Sequence, residues 1–104
     1  MFHSLTVGHL DEMAAREGRN EVVRGLDMHL VINLLRDIGE VDDEGFVWFH
    51  GYPVEIGDGY VTCPWLMPRV IRKTEEFIRR LHATTGCTIA DIGCHALLDV
   101  REIR

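Results

Sequence analysis

A tight turn at Asp58-Gly59 places the strictest condition on how this chain folds. Asp-Gly is a preferred central pair of the type I′ turn, which joins two antiparallel strands in a fixed register. As a two-residue loop it sets four pairs of residues opposite one another. These pairs are Ile56 with Val61 and Val54 with Cys63 on an apolar face, and Glu55 with Thr62 and Gly57 with Tyr60 on a more polar face. Alternation and turn together predict a small antiparallel sheet built on residues 46–63, with residues 46–50 as a further strand.

A long amphipathic helix is predicted over residues 68–84. Its apolar side chains recur at helical spacing, at Val70, Ile71, Thr74, Phe77, Ile78 and Leu81. Pro68 suits the first turn of this helix and Gly86 suits the position after its end. Five basic and two acidic side chains share its polar surface. We expect this basic surface to be solvated and to pair with acidic groups elsewhere in the chain.

Two helices are predicted before the sheet. The first covers residues 9–17, because Leu10, Met13 and Ala14 follow helical spacing and Gly18 is placed to end it. The second covers residues 20–38, with Asn20 as N-cap and Gly39 after its last residue. Gly25 lies inside this second helix and predicts a kink or a close contact there.

The C-terminal segment allows two interpretations. A helix over residues 88–103 is favoured, because Thr88 and Asp91 resemble a capping box and the apolar residues keep helical spacing. The alternative is a pair of strands, 87–92 and 95–100. With 104 residues the chain has the length of one domain. The prediction is therefore a single α+β domain, 1–104, with N-terminal helices, a small antiparallel sheet, a long helix and a C-terminal helix or strand pair.

Charge separates the two halves of the chain. Residues 1–62 hold four basic and twelve acidic side chains, whereas residues 63–104 hold seven basic and five acidic ones. The formal net charge of −6 argues against binding to nucleic acid through phosphate neutralisation. The opposite signs of the halves predict complementary packing inside one chain, or assembly between copies.

Cysteine content and hydropathy bear on the cellular compartment. The three cysteines, Cys63, Cys87 and Cys94, form an odd set without a CxxC pair, which favours a reducing compartment. The N-terminal residues lack the basic and apolar regions of a signal peptide. The longest strongly apolar stretch, 30–35, is far shorter than the roughly 20 residues that span a bilayer. These features predict a cytoplasmic protein without membrane contact.

Cys63 is the first candidate for chemistry. It lies where a strand leads into a helix, a position that lowers a thiol's pKa and favours a nucleophile. His50 would be its base and Arg69 its electrostatic support if the fold brought them together. The hairpin register instead directs Cys63 to the apolar face beside Val54, where a buried and inert thiol is expected.

The sequence predicts no metal site and no cofactor. Six histidines are scattered without a recognised zinc spacing, and the nearest group is His82, Cys87, Cys94 and His95. The acidic run of Glu40, Asp42, Asp43 and Glu44 does not follow the calcium-loop pattern. It is interpreted as a solvated turn between a helix and the sheet.

Aromatic residues cluster around the predicted hairpin. Both faces of strand 46–50 carry large apolar groups, so one face needs cover from helices, from another chain or from a ligand. The predicted contact surface comprises Trp48, His50, Tyr52, Tyr60 and Trp65. The favoured function is a small protein-interaction module whose aromatic hairpin surface binds a protein partner or a second copy of the chain, as in a homo-oligomer such as a homodimer. The alternatives are a thiol-dependent enzyme using Cys63 with His50, and a small-ligand-binding domain.

Overall fold

The computed structural model describes residues 3–65 and 67–103, which form a mixed α and β fold with antiparallel sheets. Its strands are β1 Ser4–Leu10, β2 Val22–Arg24, β3 Glu40–Val41, β4 Val47–Phe49, β5 Tyr52–Pro53, β6 Glu55–Ile56, β7 Tyr60–Pro64, β8 Thr88–Asp91 and β9 Ala96–Leu98. Its α-helices are α1 Glu12–Arg16, α2 Met28–Ile38 and α3 Pro68–Thr85, and two short 3-10 helices span Ile92–Cys94 and Val100–Glu102. The predicted α+β class is confirmed.

The main sheet is ordered β6-β7-β1-β8-β9, and β2 pairs with the end of β1. β1 lies at its centre, although the sequence analysis assigned no strand before residue 46. Leu5 and Val7 of β1 have no exposed surface and pack in the same core as Val31 of α2 and Phe77 of α3. Helices α2 and α3 therefore cover one face of the sheet. Ala15 of α1 packs against residues on the opposite face.

The predicted hairpin register is confirmed, but the predicted type I′ turn is wrong, because that turn needs a positive φ at both central residues and only Gly59, not Asp58, has one. Glu55 pairs with Thr62 and Ile56 with Val61, and the Gly57 N–H donates to the Tyr60 carbonyl at 2.9 Å. The ladder stops before the predicted pair of Val54 and Cys63, because the Val54 N–H donates instead to Val47 at 2.9 Å. Val54 leads the chain into a second sheet, ordered β3-β4-β5. The 46–63 segment thus contributes to two sheets rather than to one.

The predicted helix over 20–38 is wrong for its first eight residues and correct at its end, so Asn20 is not its N-cap and Gly25 lies outside it. Residues Val22–Arg24 form β2, in which Val22 pairs with Leu10 and Arg24 with His9 of β1. The β-branched Val22 and Val23 favour the extended backbone that this pairing needs. α2 begins only at Met28, where the Asp27 side chain accepts hydrogen bonds from the next turn, and it ends before Gly39 as predicted. The first helix is also shorter than predicted, because His9 and Leu10 belong to β1.

The favoured C-terminal helix is wrong, and the alternative strand pair is correct. β8 pairs antiparallel with both β1 and β9, so that Ile89 lies opposite Val7 on one side and Leu98 on the other. Hydrogen-bonding groups on β1 decide this outcome, since they lie far away in sequence and no local pattern reports them. The helix predicted over 68–84 is confirmed as α3, which ends at a left-handed Gly86.

Charge complementarity operates between α2 and α3. Lys73 of α3 donates to the Ile38 carbonyl at 2.8 Å and contacts Glu40 at 3.3 Å. Arg80 contacts Asp37 at 2.8 Å. Part of the basic surface of α3 is therefore paired with the acidic N-terminal half, as predicted. Among the described residues, no helix has the length and apolar character needed to cross a membrane.

Candidate functional site

Cys63 and His50, the predicted thiol and base, occupy contrasting environments. Cys63 lies in β7 opposite Leu5 with no exposed surface, and burial raises the pKa of its thiol. His50 is exposed on the turn between β4 and β5, where its backbone N–H donates to the Glu40 carboxylate at 3.2 Å. A thiol that is both inaccessible and held protonated is inert. This placement matches the interpretation of Cys63 as a buried core thiol and argues against Cys63 as a catalytic nucleophile.

Trp48, the first residue of the predicted contact surface, is half-buried in β4. Its indole N–H donates to the Asp42 carboxylate at 2.9 Å, and this bond lowers the pKa of Asp42. Asp42 also accepts the backbone N–H groups of Glu44 and Phe46, both at 2.9 Å. The acidic run therefore contains a carboxylate that organises the β3–β4 turn.

The other predicted contact residues lie on several elements. Tyr52 and Tyr60 are half-buried, and the Tyr52 hydroxyl donates to the Met67 sulfur at 3.5 Å. The Tyr60 ring occupies the space over Gly57, where a Cβ atom would overlap it. Trp65 is half-buried, and its indole N–H is buried without a hydrogen-bond partner among the described residues. Much of this aromatic area is used for packing within the chain.

An apolar groove opens beside these residues, between the β3–β4 turn and strand β6. Phe46 and Ile56 stand at its margins with 59% and 41% of their surface exposed. Val47, Val54 and Tyr60 line its interior, and its volume is about 640 Å³. Phe46 and Ile56 are not among the contact residues predicted from the sequence, although Phe46 lies on the strand 46–50, whose two faces both carry apolar groups.

Acidic groups border this apolar groove. Glu44 and Glu55 both line it and both are exposed. β6, which carries Glu55 and Ile56, forms one edge of the main sheet. The groove therefore combines exposed apolar side chains with negative charge at the end of a sheet.

A basic surface lies at the start of α3. Met67 is 50% exposed just before the helix, and Arg69 and Arg72 are exposed in its first turns. Met67 and Arg69 line a second cavity of about 710 Å³ together with His50 and Tyr52. We call the set of Met67, Arg69 and Arg72 the basic ridge. Its composition contrasts with that of the groove, since it combines one exposed apolar side chain with two arginines, although Glu40 also lines the cavity beside Met67 and Arg69.

Three metal-ligating side chains meet at another place, where β1 begins and β8 ends. His3, Asp91 and Cys94 each offer one ligand atom, and these atoms lie within 4.8 Å of one another. The His3 Nδ1 lies 3.7 Å from the Asp91 Oδ2, and the Asp91 Oδ1 accepts the Cys94 N–H at 3.1 Å. A hydrogen bond to Asp91 also raises the pKa of the Cys94 thiol. Sequence spacing missed this group, because His3 is distant in sequence from the other two residues.

The structure does not assemble the group that the sequence analysis had compared with a zinc site. Cys87 is buried at the start of the C-terminal strand pair, and Cys94 lies with His3 and Asp91. His95 adopts a left-handed conformation beside Gly18. Within residues 3–65 and 67–103, the only group of three metal-ligating side chains is His3, Asp91 and Cys94.

Comparisons with known proteins give no lead to the function. No protein-family model, no curated protein and no solved structure matches this chain. The functional argument therefore depends on the groove, the basic ridge and the three-residue cluster themselves.

Proposed function

We propose that this protein is a small interaction module that self-associates, with the apolar groove of one copy receiving the basic ridge of another. The observation that carries this proposal is the exposure of two large apolar side chains, Phe46 and Ile56, that line the same groove. Exposed apolar side chains grouped around a concave surface are typical of protein-binding sites. Large apolar residues there would lose their contact with water on association.

Charge selects a second copy as the occupant. The groove is bordered by Glu44 and Glu55, and the basic ridge presents Arg69 and Arg72 around Met67. Insertion of Met67 between Phe46 and Ile56 would bring opposite charges together on both sides of the apolar contact. A methionine side chain also makes favourable contacts with aromatic rings. The chain therefore carries both halves of a complementary pair, formed by different residues.

Association of this kind is head to tail, because the two contact surfaces differ. Head-to-tail contacts produce a closed ring when the rotation between copies closes, and a filament when it does not. A homodimer that pairs two identical β6 edges is the alternative assembly, and it would bring Glu55 near its own copy. Like charges close together oppose that arrangement. The three cysteines, all free thiols, support the further proposal that the protein works in the reducing cytoplasm.

The first experiment measures molar mass as a function of concentration, by light scattering and analytical ultracentrifugation. We expect the wild-type chain to associate, and the Phe46→Ser variant to associate more weakly. Burial of the exposed part of Phe46 is worth about 1–2 kcal/mol, which corresponds to a dissociation constant about tenfold higher in the variant. Met13→Ser is the matched control, because Met13 is 73% exposed and does not line the groove.

A charge exchange tests the identity of the two surfaces. The pair Glu44→Lys and Glu55→Lys reverses the charge at the groove. The pair Arg69→Glu and Arg72→Glu reverses the charge of the basic ridge. Each doubly substituted chain should be monomeric alone, whereas a mixture of the two should associate again. A wild-type monomer at several hundred micromolar, or a mixture that stays monomeric while the wild type associates, would overturn the proposal. Association that survives both reversals would indicate the β6-edge homodimer instead, and would equally reject head-to-tail docking.

A further inference from the structure

We propose that His3, Asp91 and Cys94 bind one transition-metal ion, with Zn²⁺ as the preferred ion and with a coordination position open to water or to an added ligand. None of these three residues lines the groove or belongs to the basic ridge, so the proposal does not depend on self-association. It rests on the convergence of three different ligand types on one point of the surface.

The distances suit a small ion. Zinc bonds of about 2.0–2.3 Å to nitrogen, oxygen and sulfur imply separations of about 3.3–3.6 Å between ligand atoms in a tetrahedral site. His3 Nδ1 and Asp91 Oδ2 are already 3.7 Å apart. All three ligand atoms lie within 4.8 Å, so that closure requires a movement of about 1 Å or less by each side chain. His3 and Cys94 are exposed and can make that movement by small rotations.

The backbone around the ligands is held in place. Asp91 is the last residue of β8, a strand inside the main sheet, and its side chain is 12% exposed. Its Oδ1 accepts the Cys94 N–H at 3.1 Å, which fixes the start of the following 3-10 helix and leaves Oδ2 for an ion. On the other side, the backbone N–H of Trp65 donates to the His3 carbonyl at 3.0 Å. Hydrogen bonds that orient ligands in this way are typical of metal sites.

The ligand chemistry selects the ion. Imidazole nitrogen and thiolate sulfur suit Zn²⁺ and Co²⁺, whereas Mg²⁺ and Ca²⁺ prefer oxygen ligands. Three protein ligands with one free position are the usual arrangement in zinc sites that accept a further ligand. The exposure of His3 and Cys94 leaves room for that ligand. On binding, the metal–sulfur bond replaces the thiol's S–H bond, and the proton passes to solvent.

The experiment is a Co²⁺ titration of the reduced, tag-free protein, followed by absorption spectroscopy. A cobalt–thiolate bond gives a charge-transfer band in the near ultraviolet, and a four-coordinate site gives intense bands in the visible. We expect both to saturate at one Co²⁺ per chain and to disappear when Zn²⁺ is added. Zn²⁺ should also protect Cys94 from alkylation.

His3 and Cys94 are exposed, so substitutions there should leave the fold intact, and circular dichroism would verify this. Cys94→Ser should abolish the charge-transfer band even though the buried Cys63 and Cys87 remain. His3→Ala should weaken Co²⁺ binding by about tenfold or more. His29→Ala, which changes an exposed histidine of α2, is the control and should leave the titration unchanged. A wild-type protein without the band, a Cys94→Ser variant that keeps it, or equal weakening by His29→Ala would overturn the proposal.

Discussion

Gly59 offers a direct test of how the hairpin is locked to the rest of the fold. Its φ angle is +81°, and a Cβ atom at this position would lie 2.7 Å from the Gly25 Cα. Gly51 has nearly the same φ angle, +84°, but a Cβ atom there would meet nothing within 4 Å. Alanine at Gly51 therefore introduces backbone strain alone, whereas alanine at Gly59 adds a collision with backbone.

The two substitutions differ by a magnitude that the structure allows us to work out. A left-handed conformation costs a residue with a side chain about 1–2 kcal/mol, and this is the expected loss of stability for Gly51→Ala. Overpacking typically adds about 1–3 kcal/mol. Here the neighbour is main chain and cannot rotate away, so Gly59→Ala should lose about 2–5 kcal/mol in total.

Urea denaturation, followed by tryptophan fluorescence and far-ultraviolet circular dichroism, measures both losses. Gly25→Ala completes the set, because its Cβ atom would lie at an ordinary 3.7 Å from the Gly59 Cα. It should therefore be much milder than Gly59→Ala. Equal free energies of unfolding for Gly51→Ala and Gly59→Ala would refute the argument that this turn packs against the segment before α2.

Three further predictions test the core, the thiols and one surface cap. Thr74 is fully buried and donates to the Pro64 carbonyl at 2.6 Å, so Thr74→Val should lower the free energy of unfolding by about 1–3 kcal/mol; an unchanged urea midpoint would contradict this. In native protein the exposed Cys94 should be alkylated at least about a thousandfold faster than the buried Cys63, because Cys63 reacts only after the core opens. Mass spectrometry of the labelled peptides measures both rates, and comparable rates would contradict the prediction. Hydrogen bonds from the guanidinium and the backbone N–H of Arg101 lower the pKa of Asp99 to about 2. The stabilising contribution of the Asp99 carboxylate is therefore present above about pH 4 and is lost as the pH falls through about 2. Asp99→Asn should remove this part of the acid sensitivity, and identical acid-unfolding curves for variant and wild type would count against the prediction.

The candidate sites were predictable only in part. Trp48, Tyr52, Tyr60 and Trp65 are predicted contact residues by their type, and each is half-buried in the structure. A residue's type indicates what it can contact, whereas its exposure depends on the elements packed around it. Phe46 shows the converse, since the two apolar faces of its strand indicated uncovered surface without showing which ring would remain exposed.

Local signals in the sequence determined the hairpin and α3. The Asp58-Gly59 turn fixes its register within a few residues, and the apolar spacing of 68–84 defines a helix face that any core would bury. The end of α2 before Gly39 was fixed in the same way. In each case the deciding interactions join residues close in sequence, so the local sequence is sufficient to predict the element.

Only the tertiary structure decided the central strand and everything that depends on it. β1 pairs with β2, β7 and β8. Because of these pairings, the start of the helix predicted over 20–38 contains strand β2, and the helix predicted over 88–103 is replaced by strands β8 and β9. They also brought His3 beside Asp91 and Cys94. Strand pairing joins residues that are distant along the chain, and its hydrogen bonds and shared burial override weak local preferences for a helix.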